Sequence, residues 1–105
     1  MKLKIHSIHF DADQKLVDFV QNKVDKLESF YSEIIEGEVY LRLDKAENSE
    51  NKIAEIRLEI PGNALFAKRQ CKSFEEATDT AVEALRRQVK KHKEKHGIKH
   101  VSLDM

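Results

Sequence analysis

Residues 73–97 read SFEEATDTAVEALRRQVKKHKEKHG, and this stretch decides the fold. Ser73 followed three residues later by Glu76 is a capping-box pattern. The hydroxyl accepts from a free N–H at the helix start, and the carboxylate reaches back toward another. Ala77, Ala81, Leu85 and Val89 then recur at a spacing of four, which makes one apolar stripe along a helix. Small alanines in that stripe let the helix approach a sheet closely. The pattern runs to about His96, where Gly97 offers a left-handed stop. At about 1.5 Å per residue the helix spans on the order of 35 Å.

Working outward, two strand segments precede this helix. A fourth strand is expected over roughly Ala64 to Cys71, and Pro61-Gly62-Asn63 is a turn, since proline presets φ and glycine or asparagine tolerate positive φ. Ile53 to Ile60 forms the third strand, with Ile56, Leu58 and Ile60 inward and Arg57 and Glu59 outward. Asp44 to Lys52 is too polar to bury and reads as a loop. Gly37 breaks the preceding pattern. Val39, Leu41 and Leu43 then alternate with Tyr40 and Arg42, which gives the second strand. An earlier helix of about four turns carries Leu16, Val20, Val24 and Leu27, with Phe19 and Phe30 widening the stripe and Asp11 or Asp13 as its cap. Its outer side presents Lys23 and Lys26. Residues 2–8 alternate, with Leu3 and Ile5 on one face and Lys2, Lys4 and His6 on the other, as in a half-buried strand. The order is therefore β-α-β-β-β-α. Both helix stripes must cover one sheet face, which predicts an α+β, two-layer domain with a four-stranded sheet over residues 1–105. The opposite face is expected to be polar, carrying His6, Arg42 and Arg57.

Charge is distributed unevenly along this framework. The full chain has 19 basic and 19 acidic residues, yet Arg86 to His100 holds seven Lys or Arg against one acid, a net of +6. Residues 1–85 carry 12 basic and 17 acidic groups, a net of −5. A concentrated cationic patch on an acidic body points to a polyanionic partner. At 100° per residue, Arg86, Arg87, Lys90, Lys91, Lys93 and Lys95 fall on the side away from Leu85 and Val89. A phosphate backbone would meet several of them at once and release counterions, and the two arginines can make two-pronged phosphate contacts. Compensation of the helix dipole alone needs only two or three charges in the last turn. The acidic remainder would limit promiscuous binding by repelling phosphates.

Other chemistries find little support. One cysteine, Cys71, excludes an internal disulfide, fits a reducing cytosol and reads as a small, partly buried residue with no base beside it. His92, His96 and His100 recur every four residues, but their lysine-rich surroundings disfavour a cation, so no metal and no other cofactor is expected. No Gly-rich phosphate loop or nucleophile motif occurs, which argues against an enzyme and against a small-molecule substrate. The N-terminus alternates, unlike a signal peptide, and no apolar run is long enough to span a membrane.

Three stretches carry a family resemblance: Phe19 to Glu28 (FVQNKVDKLE), Ser73 to Asp79, and Leu85 to Lys95 (LRRQVKKHKEK). Together they resemble the ribosome hibernation promoting factors, a family that includes the ribosome-associated translation inhibitors, over nearly the whole chain. The resemblance implies the same β-α-β-β-β-α fold. It also implies a cytoplasmic protein that binds the small ribosomal subunit, its 16S-type rRNA and its ribosomal proteins, in the channel used by mRNA and tRNA. Such a protein blocks translation and preserves idle ribosomes in stationary phase or stress. Carried over by residue, the RNA-contacting groups are Lys23, Lys26, Arg87, Lys91, Lys93 and Lys95. Helix geometry adds Arg86 and Lys90, and Lys68 and Arg69 are weaker candidates. Many members have Asp-Met-Tyr where this chain has Ser73-Phe74-Glu75, so any role of that tyrosine is absent. The chain ends nine residues after His96, which implies a compact, single ribosome-binding domain without the C-terminal dimerisation domain of long-form members. Two further readings are a general double-stranded RNA-binding module, which also sets helices on one face of a small sheet, and a protein adaptor docking an acidic partner.

Overall fold

The computed structural model describes residues 1–45 and 49–95. The elements are β1 (Lys2–Ile8), α1 (Gln14–Phe30), β2 (Glu36–Leu43), β3 (Lys52–Ile60), β4 (Asn63–Cys71) and α2 (Phe74–Lys93). The strands lie in the order β1-β2-β3-β4. β1 pairs parallel with β2, as a crossover through α1 requires, and the other two pairings are antiparallel hairpins. The four-stranded sheet with two helices has the two-layer organisation that the stripes imply.

Local chemistry sets the element ends. Asp13 caps α1, its Oδ1 accepting the Leu16 N–H at 2.9 Å. Ser73 caps α2, its Oγ accepting the Glu76 N–H at 3.0 Å. The Glu76 carboxylate reaches back one residue further than a capping box prescribes, to the Lys72 N–H at 3.3 Å. Between β3 and β4, Pro61 and Gly62 form the turn. Gly62 has φ 77°, the value that the second central position of a type II turn demands.

The core lies between the sheet and the helices. Val39, Leu41, Ala54, Ile56, Leu58, Ile60, Leu65 and Ala67 share the covered face. Above them lie Leu16, Val20, Val24 and Leu27 of α1 and Ala77, Ala81, Leu85 and Val89 of α2. α2 packs directly on β3 and β4 and beside α1, a close approach that its alanines permit.

Four details differ from the sequence reading. Gly37 lies inside β2 on the covered face rather than ahead of it. A Cβ there would meet Leu58 Cδ2 at 2.8 Å and Leu3 Cδ1 at 3.1 Å, so the position stays empty for packing, not for a turn. Leu43, expected inward, is 48 % exposed because it ends β2 opposite Lys52, at the mouth of the hairpin. The open face is not uniformly polar: Ile53 is buried on it and Phe66 is 52 % exposed. α1 runs 17 residues, nearly five turns. The expected helix end at His96 and Gly97, and His100, lie outside the described residues.

Candidate nucleic-acid interface

The buried stripe of α2 turns its remaining side chains outward, but not onto one face. Arg86 and Lys93 lean toward α1, whereas Lys91 and Lys95 line a groove against the turn between β3 and β4. The cations expected to form one patch therefore straddle the helix. Successive positions near 100° apart, on a helix seated by a narrow apolar stripe, allow no other outcome for so many residues.

The eight candidate cations also divide by what they touch. Lys23 does not point outward from α1: its Nζ pairs with Asp79 Oδ1 of α2 at 2.9 Å, and the side chain is 29 % exposed. The Arg86 guanidinium lies 5.0 Å from the Phe30 ring centroid, and Lys93 Nζ lies 4.6 Å from it. Lys93 Nζ also donates to the Phe30 carbonyl at 3.3 Å, at the negative end of α1. Lys93 thus bridges the two helices instead of standing in solvent. Lys26, Arg87, Lys90, Lys91 and Lys95 are exposed and have no hydrogen-bond or ion-pair partner among the described residues.

Of the depressions that border α2, two lie on opposite flanks of it. One is a cleft of ≈ 300 Å³ between the helices, lined by Lys23, Lys26, Phe30, Asp79, Glu83 and Arg86 among others. The other is a groove of ≈ 630 Å³ that includes Gly62, Asn63, Leu65, Gln88, Lys91 and Lys95. Sequence reasoning missed Phe30 as an anchor for cations, and it read Pro61-Gly62-Asn63 as a turn without placing that turn beside Lys91 and Lys95. Phe30 was legible only as apolar, because nothing in one helix reveals which residues of another will meet it.

The weaker candidates lie elsewhere. Lys68 is on the open face opposite Glu55, and Arg69 donates to the Lys68 carbonyl at 2.8 Å. Neither lines the interhelical cleft or the groove at the β3–β4 turn. Also on the open face, His6 stacks on Tyr40 with centroids 4.8 Å apart. Glu38 accepts from the Tyr40 hydroxyl at 2.9 Å and lies 3.1 Å from His6 Nε2. These bonds, the tyrosine's first, hold the Glu38 carboxyl below its ordinary pKa, and the same contact raises that of Tyr40. Among the described residues no group of three His, Cys, Asp or Glu could hold a metal ion. Cys71 is half-buried, its Sγ 3.7 Å from Thr80 Oγ1. No helix among the described residues is long and apolar enough to cross a membrane.

Two helices on one face of a four-stranded mixed sheet, the longer one cationic at its exposed end, define the class: a small two-layer α+β domain. The chain belongs to the family described as sigma 54 modulation protein / S30EA ribosomal protein, which matches residues 3–97. It is 32 % identical over 95 residues to a ribosome hibernation promoting factor of Pseudomonas putida, covering 90 % of this chain and 89 % of that one. Two solved structures share the fold. A ribosomal subunit interface protein from Coxiella burnetii matches with a TM-score of 0.78 and 18 % identity, covering 89 % of this chain and 98 % of that one. The N-terminal domain of Thermus thermophilus Protein Y matches with a TM-score of 0.76 and 24 % identity, covering 88 % and 99 %.

Proposed function

We propose that this protein is a non-enzymatic ribosome hibernation factor of the cytoplasm. It binds 16S-type rRNA of the small subunit in the channel for mRNA and tRNA, blocks translation and preserves idle ribosomes in stationary phase or stress. The observation that carries this reading is the family match across residues 3–97, with a relative named for hibernation at 32 % identity. The mechanism is steric: a rigid domain occupies the channel, held by phosphates at the cations of α1 and α2 that have no partner among the described residues. No bond is made or broken, so the protein needs no activated group.

Purified protein should co-sediment with small subunits and stop translation of a reporter mRNA in a cell-free system. Replacing Lys91 and Lys95 with Glu should abolish both effects. Equal affinity for a plain RNA duplex would favour the general double-stranded RNA-binding reading. A complex that survives nuclease digestion would favour the protein adaptor.

A further inference from the structure

We propose that the β3–β4 turn and the far flank of α2 form a second docking groove for the RNA sugar–phosphate backbone. It lies on the side of α2 opposite the cleft at Lys23, Lys26 and Arg86. This inference rests on the functional reading above and adds a site to it, in which uncharged turn residues face Lys91 and Lys95.

The groove is assembled from two elements held in fixed relation. Gln88 Nε2 of α2 donates to the Phe66 carbonyl of edge strand β4 at 2.8 Å, which ties the helix to the sheet edge and sets the groove's width. Leu65, 7 % exposed, is among its lining residues. Lys91 and Lys95, one turn apart, stand on the helix side. On the other side Gly62, at φ 77°, has no described atom beyond its own chain neighbours within 4 Å of where a Cβ would be, so a polymer can approach the turn's backbone closely. The Asn63 amide is oriented by its neighbour: Oδ1 accepts the Ala64 N–H at 2.8 Å. Its Nδ2 donors therefore remain without a partner among the described residues.

Charge separates this groove from the interhelical cleft. No carboxylate lines it, whereas Asp79 and Glu83 line the cleft. An anion entering meets two uncompensated ammonium groups and an amide donor. The amide and the open backbone suit the 2′-hydroxyl and phosphate of RNA better than a lone small anion, which surface lysines alone hold weakly. One RNA that touches both flanks gains from the second contact as an intramolecular event.

Asn63→Asp tests the site. The aspartate keeps an acceptor for the Ala64 N–H but replaces two donors with a negative charge beside Lys91 and Lys95. Titration of labelled protein with purified small subunits should show affinity at least roughly fivefold weaker. The salt slope should be smaller by about 0.7–0.9, the change that follows when one phosphate is no longer neutralised. In a Lys91→Gln background the same substitution should cost less than in the wild type, because both act on one groove. A thermal melt checks the fold, and Ala64→Glu, at an exposed position lining the groove, repeats the test if Asn63→Asp melts early. Unchanged affinity and slope in these variants, or full additivity with Lys91→Gln, overturns the groove while leaving ribosome binding intact. Wild-type protein that fails to bind small subunits overturns the functional reading and the groove together.

Discussion

Lys91 and Lys93 are two residues apart on α2 and play different parts. Lys91 has no partner among the described residues, while Lys93 lies over Phe30 and donates to its carbonyl. Reversing either charge looks equivalent in the sequence, where both belong to one basic run. Lys91→Glu should weaken small-subunit binding with stability unchanged within about 0.5 kcal/mol. Lys93→Glu should destabilise the fold by about 1 kcal/mol, since it removes a cation over a ring and places an anion at a helix C-terminus. Urea unfolding of the two variants separates the roles; equal stabilities would refute the bridging role of Lys93. Glu38 offers a pH handle at the same scale. Its carboxyl titrates low because the Tyr40 hydroxyl and His6 bond its charged form. A lowered folded pKa contributes stability above the ordinary carboxylate pKa, and that contribution disappears as pH falls through the folded value. Tyr40→Phe should raise the Glu38 pKa toward the ordinary value in an NMR titration. The stability gap between variant and wild type, present at neutral pH, should shrink as the solution is acidified through the carboxylate range.

At the scale of elements, most of the fold was legible, and the reason is local. Caps at Asp13 and Ser73, strand alternation and helical stripes are written in neighbouring residues, and each satisfies backbone groups or buries a face within its own segment. Ser73→Ala should therefore cost about 1 kcal/mol of stability by removing the acceptor of the Glu76 N–H, read by thermal or urea unfolding. Glu76→Ala should cost less, since its bond to Lys72 is long. Ala81 is fully buried between α2 and the sheet. Ala81→Leu should cost roughly 1–3 kcal/mol by forcing the layers apart, and an unchanged melting temperature would show that the helix does not approach the sheet as closely as described. What stayed hidden depends on pairing between elements. Lys23 reads as outward in the sequence because α1 alone gives no sign that Asp79 will lie across from it. Gly37 reads as a break because only the packed Leu58 and Leu3 show why a side chain is excluded there.

At the scale of the whole molecule, charge segregates along α2 more than between the helix and the body. Glu75, Glu76, Asp79 and Glu83 occupy its first part and the cations its last, an order that also complements the helix dipole. The open sheet face is not an acidic shield. There Lys4, Glu38, Arg57 and Phe66 form one cross-strand row, and Glu55 pairs with Arg42. Neutralising Glu55 would free an arginine as well as remove an acid, so it is a poor test of repulsion by the body. The sharper test is how binding depends on salt. Lys23, Arg86 and Lys93 already have partners within the protein, and among the described residues only the charge of Lys23 is offset by an acid, Asp79. Lys26, Arg87, Lys90, Lys91 and Lys95 have none among the described residues, so they are the groups free to displace counterions. If each of the five meets one phosphate, they contribute roughly 3.5–4.5 to the log–log salt slope of small-subunit binding. Changing all five to Gln should remove that contribution while the protein keeps its melting temperature. Lys23→Gln should move the slope far less and lower stability instead, because its charge is already engaged by Asp79. A slope that falls as much for Lys23→Gln as for Lys91→Gln would mean that RNA breaks the Lys23–Asp79 pair on binding, and that the helices shift when the ribosome is engaged.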